Sequence, residues 1–176
     1  MENRQRKLAL VAAALIAPLL AVAVSRADGP PGQPGTASGS LTLDAVTVKL
    51  THAYASVQPG FFDKKTEDTR VLLSDVPLPD AALTDVFELI HLARDGKVHV
   101  VEVDIDATGT PIGGGLFAKN FDGTVSAAGM HKFAKDRWDR TLIAGRLWVD
   151  GPQEFMNVKW HYDATFSASI PRPSKK

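Results

Sequence analysis

Hydrophobic and polar positions alternate most regularly at the end of the chain. Val158, Trp160, Tyr162, Ala164, Phe166, Ala168 and Ile170 interleave with Lys159, His161, Asp163, Thr165, Ser167 and Ser169. A period of two predicts a strand with one buried and one wet face. Val46, Val48, Leu50, His52 and Tyr54 alternate with Thr47, Lys49 and Thr51 in the same way. Leu41 and Leu43 predict a short strand that pairs with this one through a turn at Asp44-Ala45. Over 97–106, His99, Val101, Val103 and Ile105 share one face, and Val98, Val100, Glu102 and Asp104 share the other. Shorter strands are predicted at 70–74, 112–118, 125–133 and 141–149. Turns are expected at Pro59-Gly60, Asp95-Gly96, Thr108-Gly109, Asp122-Gly123 and Asp150-Gly151-Pro152. Many strands with short connections predict a mainly β fold: an antiparallel β-sandwich or barrel.

One segment breaks the period of two. Over about 80–94, Ala82, Leu83, Val86, Phe87, Leu89, Ile90 and Ala93 form one stripe at helical spacing, with Thr84, Asp85, Glu88 and His91 opposite. Leu92 falls off the stripe. Asp80 is the expected cap, and Gly96 sits just past the expected end. The polar face lacks the Lys and Arg of membrane-surface helices, so one amphipathic α-helix packed on the sheet is predicted.

The first 27 residues follow other rules. Arg4, Arg6 and Lys7 precede an uncharged apolar run from 8 to 24, and Ser25-Arg26-Ala27 supplies small residues for a cut before Asp28. This is the pattern of a secretory signal peptide, with an uncleaved anchor as the alternative. Residues 28–40 hold four Gly and three Pro in thirteen positions and are expected to form a flexible linker. A single β-rich domain is then expected over 41–170, followed by a loose tail over 171–176. An exported protein is expected, periplasmic or extracellular and bacterial in style, with no membrane contact after cleavage.

Charge and composition narrow the function classes. Twenty basic residues balance twenty acidic ones, and loss of the leader leaves 16 against 19, a formal −3. Such a chain lacks the basic face of a nucleic-acid binder. With no Cys there is no disulfide, thiolate site or cysteine nucleophile.

Catalytic signatures are sparse. Gly113-Gly114-Gly115-Leu116-Phe117-Ala118 matches a dinucleotide-binding pattern, but it lacks the strand directly before and the helix directly after. Glycines within a strand instead mark a bulge or a close backbone approach. Asp104-Ile105-Asp106-Ala107-Thr108-Gly109 imitates the start of a calcium loop, yet its twelfth position is Gly115, so a hairpin turn is the expectation. His52, His99 and His131 sit on otherwise apolar faces, and three neutral imidazoles converging would make a metal site. The preferred reading is three separately partnered histidines near the core edge. His161 and Asp163 are expected to be merely solvated. In the loop over 58–68, Phe61 and Phe62 beside five charges offer a contact tip. Tucking under the loop to pin it is the favoured alternative.

The expected function is therefore an exported, non-enzymatic β-domain that binds a small-molecule ligand or a protein, or has a structural role in the envelope, with no cofactor. Two alternatives remain: a metal-dependent enzyme using His52, His99 and His131, and a secreted inhibitor or accessory factor acting through the 58–68 loop.

Overall fold

The computed structural model describes residues 35–119, 121–124 and 129–171. Its strands are β1 (Gly35–Leu43), β2 (Val46–Pro59), β3 (Glu67–Ser74), β4 (Val100–Ile105), β5 (Pro111–Ala118), β6 (Phe121–Thr124), β7 (His131–Trp138), β8 (Leu142–Val149), β9 (Gln153–Phe155) and β10 (Val158–Ser169). Two helices, α1 (Asp80–Thr84) and α2 (Val86–Arg94), lie between β3 and β4. All strand pairs are antiparallel, in the order β6-β5-β4-β3-β2-β1-β10-β8-β7, with β9 added to β10. This one sheet curls into a half-barrel, which settles the mainly β, antiparallel expectation.

The alternating residues of β10 build the concave face. Trp160, Tyr162, Ala164, Phe166 and Ala168 are all buried there against Leu41, Leu50, Val71, Leu73, Val101, Val103, Ile143 and Leu147. Each such Leu or Ile contributes about 1.5–3 kcal/mol by leaving water. A Cβ at Gly39 would lie 2.1 Å from the Asp163 carbonyl oxygen, so only glycine lets β1 approach β10 at that point. The ladder between β1 and β2 shifts between Thr36 and Gly39, beside the same glycine.

His131 helps close the curl. It opens β7 at one edge of the sheet, and its Nε2 faces Gly114 on β5 near the other edge, where a Cβ would stand 2.8 Å away. His131 Nδ1 and the Tyr162 hydroxyl are 2.9 Å apart. Burial pushes the Tyr162 hydroxyl far above its ordinary range, so it stays neutral in this pair. The Gly113-Gly114-Gly115 run thus marks a close approach inside a strand, as its setting predicts.

A second core lies on the convex face. Tyr54, Leu72, Val100 and Phe117 project from β2, β3, β4 and β5 against Leu78, Ala82, Leu89 and Ala93. The helical segment differs from the single helix expected. Asp85 is extended (φ −117°, ψ 110°) and splits it, and the Asp85 side chain caps α2 by accepting the Phe87 N–H at 2.8 Å. Asp80 sits in the first turn of α1 and does not cap it; Pro79 takes that place. α2 ends as expected: Gly96 (φ 70°) donates to the Ala93 carbonyl and Lys97 to that of Leu92, a Schellman closure.

Other boundaries moved. Gly35–Ser40 belong to β1 and not to a flexible spacer, since β2 and β10 supply ladder partners on both sides. Asp122-Gly123 lies within β6, not in a turn. Residues 97–99 precede β4, whereas β2 and β3 run longer than their apolar patterns. The expected leader, residues 28–34 of the linker, the tail beyond Pro171 and positions 125–128 lie outside the described residues.

Candidate functional site

The convex face carries two stripes side by side. Continuing each strand outward from Tyr54, Leu72, Val100 and Phe117 by its period of two brings Ser56 and Gln58, Asp68 and Arg70, Glu102 and Asp104, then Gly113 and Gly115 to the same surface. Register confirms the rows: Ser56 pairs with Arg70, Arg70 with Asp104 and Asp104 with Gly113. A Cβ at Gly113 would meet nothing within 4 Å, so the strand beside Asp104 leaves open space.

These polar groups form one network. Arg70 Nη2 donates to Glu102 Oε2 at 2.7 Å, and Gln58 Nε2 donates to Asp104 Oδ1 at 2.8 Å. Arg70 Nε is buried without a hydrogen-bond partner. Burial, and secondarily the Glu102 charge, raise Asp104 to about 6, against the opposing pull of Arg70 and Gln58.

Where this network meets the helices there is a cavity of about 250 Å³, lined by Tyr54, Ser56, Arg70, Leu72, Asp80 and Leu83 among others. Its floor is apolar, and Thr84 and Ser169 add hydroxyls at the wall. The Tyr54 oxygen accepts the Leu78 N–H at 2.8 Å. Burial raises the Tyr54 phenol, the Leu78 bond opposes this, and the neighbouring Asp80 charge raises it further. The phenol therefore keeps a proton to donate. A concave apolar surface with a few convergent polar groups is the form that small-molecule sites take.

The residues singled out from sequence lie elsewhere. His52 and His99 belong to one chain of bonds. Thr51 Oγ1 donates to the Asp75 carbonyl (2.9 Å), which leaves it to accept from His52 Nδ1 (2.8 Å). Asp75 in turn holds both the backbone N–H and Nδ1 of His99, at 2.8 and 2.7 Å. This is a clamp on the loop after β3. His131 is buried at the seam with Tyr162 and joins neither. Among the described residues no three His, Asp or Glu side chains are arranged to hold a metal ion. Asp163 pairs with Arg146 through two hydrogen bonds and not with His161. Asp106 accepts the Thr108 and Thr110 N–H groups at 2.8 and 2.9 Å, closing the β4–β5 hairpin turn.

The tucked Phe expectation is overturned. Phe61 and Phe62 are 71% and 77% exposed and pack edge-to-face on each other at 5.1 Å. The loop is pinned by a carboxylate instead: buried Asp68 accepts the Phe61 N–H at 2.7 Å, and Gly60 N–H reaches the Thr66 carbonyl at 2.9 Å.

The architecture defines a class: an antiparallel half-barrel with a helix-roofed cleft on its convex side. No protein-family model matches the chain, and no curated protein or solved structure matches it either.

Proposed function

We propose that the chain is an exported, non-enzymatic domain that binds a small molecule in the cleft between α1 and the β2–β3 face. The observation that carries this reading is the cavity itself: an apolar floor of Tyr54, Leu72 and Leu83 beneath the charged groups of Arg70 and Asp80. Its size, below the roughly 300–1,000 Å³ of drug-sized sites, suits a ligand no larger than a substituted ring. The serines lining it have no histidine among the other lining residues, so no nucleophile–base pair is assembled there. Leu83→Trp fills the cavity from its wall. The expected outcome is loss of fragment binding, seen in amide chemical-shift perturbation, with melting temperature within a few degrees of the parent. Unaltered binding in that variant would remove the reading.

A second reading, a protein partner engaged through the 58–68 loop, has its own observation. Two exposed aromatics sit on a tip already ordered by Asp68 and Gly60, so little ordering cost remains for a contact. A photo-crosslinker at position 62 in the living cell should then yield one discrete adduct. Only diffuse products would dismiss it.

A further inference from the structure

The wall of the cleft carries a donor that the fold does not use. We infer that the cleft takes a small molecule with an uncharged oxygen acceptor, a carbonyl, on an apolar or aromatic body, and that Arg70 Nε–H is the donor that meets this oxygen. This rests on the binding reading above and adds the ligand's chemical class to it.

Arg70 lines the cavity from β3, and its side chain is 13% exposed. Its Nη2 donates to Glu102 Oε2 at 2.7 Å, which fixes the guanidinium and meets its charge. That pair uses one nitrogen and leaves Nε unexplained. Nε is buried and has no acceptor among the described residues. β3 is paired on both sides, by β2 and β4, so the carbonyls around it are committed to the ladders. A buried donor without an acceptor carries the full cost of its lost hydration. A ligand oxygen that reaches it therefore recovers more than an ordinary exchange with water returns. As the ligand enters, the guanidinium turns about its Nη2 bond and brings Nε–H to the cavity.

The neighbours of Arg70 fit the same ligand. Tyr54 pairs with Leu72, two residues along β3, so its ring and Arg70 are diagonal neighbours across the two strands. The Tyr54 oxygen accepts the Leu78 N–H, and its own hydrogen has no acceptor among the described residues. Leu72 and Leu83 supply the apolar contact for the body of the molecule. Asp80, on the same lining, is exposed and hydrated, so it sets no preference. A carboxylate gains less here than a carbonyl, because Glu102 already holds the guanidinium and a second anion beside it meets like charge.

Three probes separate the possibilities: acetophenone, its apolar isostere α-methylstyrene, and benzoate. Each is titrated by NMR into the full chain as the cell accumulates it, near neutral pH. The Arg70 Nε–H resonance, assigned through its own side-chain carbons, reports the bond directly. Acetophenone should move it downfield, and α-methylstyrene in the same cleft should not. Arg70→Lys keeps a cation for Glu102 and deletes Nε–H. In that variant acetophenone should lose about tenfold in affinity relative to α-methylstyrene. Benzoate should bind the parent more weakly than acetophenone. If Arg70→Lys fails to fold, the resonance in the parent decides alone. An Nε–H signal that responds alike to acetophenone and α-methylstyrene overturns the carbonyl inference while leaving the cleft as a site. Equal loss of both probes in Arg70→Lys, or benzoate binding more tightly than acetophenone, does the same. Failure of all three probes, or binding that survives Leu83→Trp, overturns the cleft and the inference together.

Discussion

Asp104 is held in a state that costs stability at neutral pH, and Asp104→Asn tests this directly. In the folded chain its carboxyl rises from 3.8 to about 6, chiefly through burial and then through Glu102. The sign is opposite to that of a salt-bridged aspartate. Between roughly pH 4 and 6 the folded chain holds the proton that the unfolded chain has released, so this residue's contribution falls as pH rises through that window and levels off above it. Two units at about 1.4 kcal/mol each give a ceiling of about 3 kcal/mol, and partial solvent access reduces this to about 1–2 kcal/mol. Asparagine keeps an oxygen for Gln58 Nε2 and removes the charge, leaving the Arg70–Glu102 pair in place. Urea denaturation of both chains from pH 4 to pH 8 should therefore show near-equal stability at pH 4 and a variant about 1–2 kcal/mol more stable at pH 8. That difference corresponds to about 3–8 °C in melting temperature for a domain of this size. A variant less stable than the parent at pH 8, or a difference independent of pH, would refute the account of the network.

Two further expectations follow from packing. Gly114→Ala places a methyl 2.3 Å from the Glu102 carbonyl oxygen and 2.8 Å from His131 Nε2, so a loss of about 1–3 kcal/mol is expected in thermal melts. Gly113→Ala, with nothing within 4 Å, should stay within about 0.5 kcal/mol, and equal effects at the two positions would contradict the closed seam. Replacing Phe61 and Phe62 together by Ser should leave stability within about 1 kcal/mol, because both rings are mostly exposed. A drop of several degrees would mean that the loop leans on them after all.

What was legible in the sequence follows from where side chains alone decide. The period of two in β10 survives because one of its faces is buried along most of its length, whereas in β2 the face expected from Val46 to Tyr54 is divided: Leu50 packs in the concave core and Tyr54 under the helices. β1 hid behind its glycines and serines. It is a strand because two neighbours pair with it, and Gly39 is there for the approach of β10 rather than for flexibility. The break at Asp85 was equally hidden, since the apolar stripe runs on across it and only the cap on Phe87 shows that a second helix starts. β6 and β9, at four and three residues, are too short to carry a period.

The cleft was illegible for a different reason. Its members come from β2, β3, α1 and β10, and taken singly Ser56, Arg70, Asp80 and Thr84 read as ordinary solvated residues. A trace of it was present: Val98, Val100, Glu102 and Asp104 share a face that is first apolar and then acidic. A strand face that changes character midway must pass from under a cover into the open, and here the cover is the α1–α2 pair. The glycines at 113 and 115 carry the same message from the neighbouring strand, because they remove side chains where the acidic row needs room. The histidines drew attention because imidazole is chemically versatile, yet His52 and His99 are engaged by Thr51 and Asp75, and His131 is spent on the seam. Versatile groups already satisfied by the fold are poor guides to a site. The better guide is a buried polar group that the fold leaves without a partner on the wall of a cavity, and among the described residues Arg70, through its Nε, is such a group.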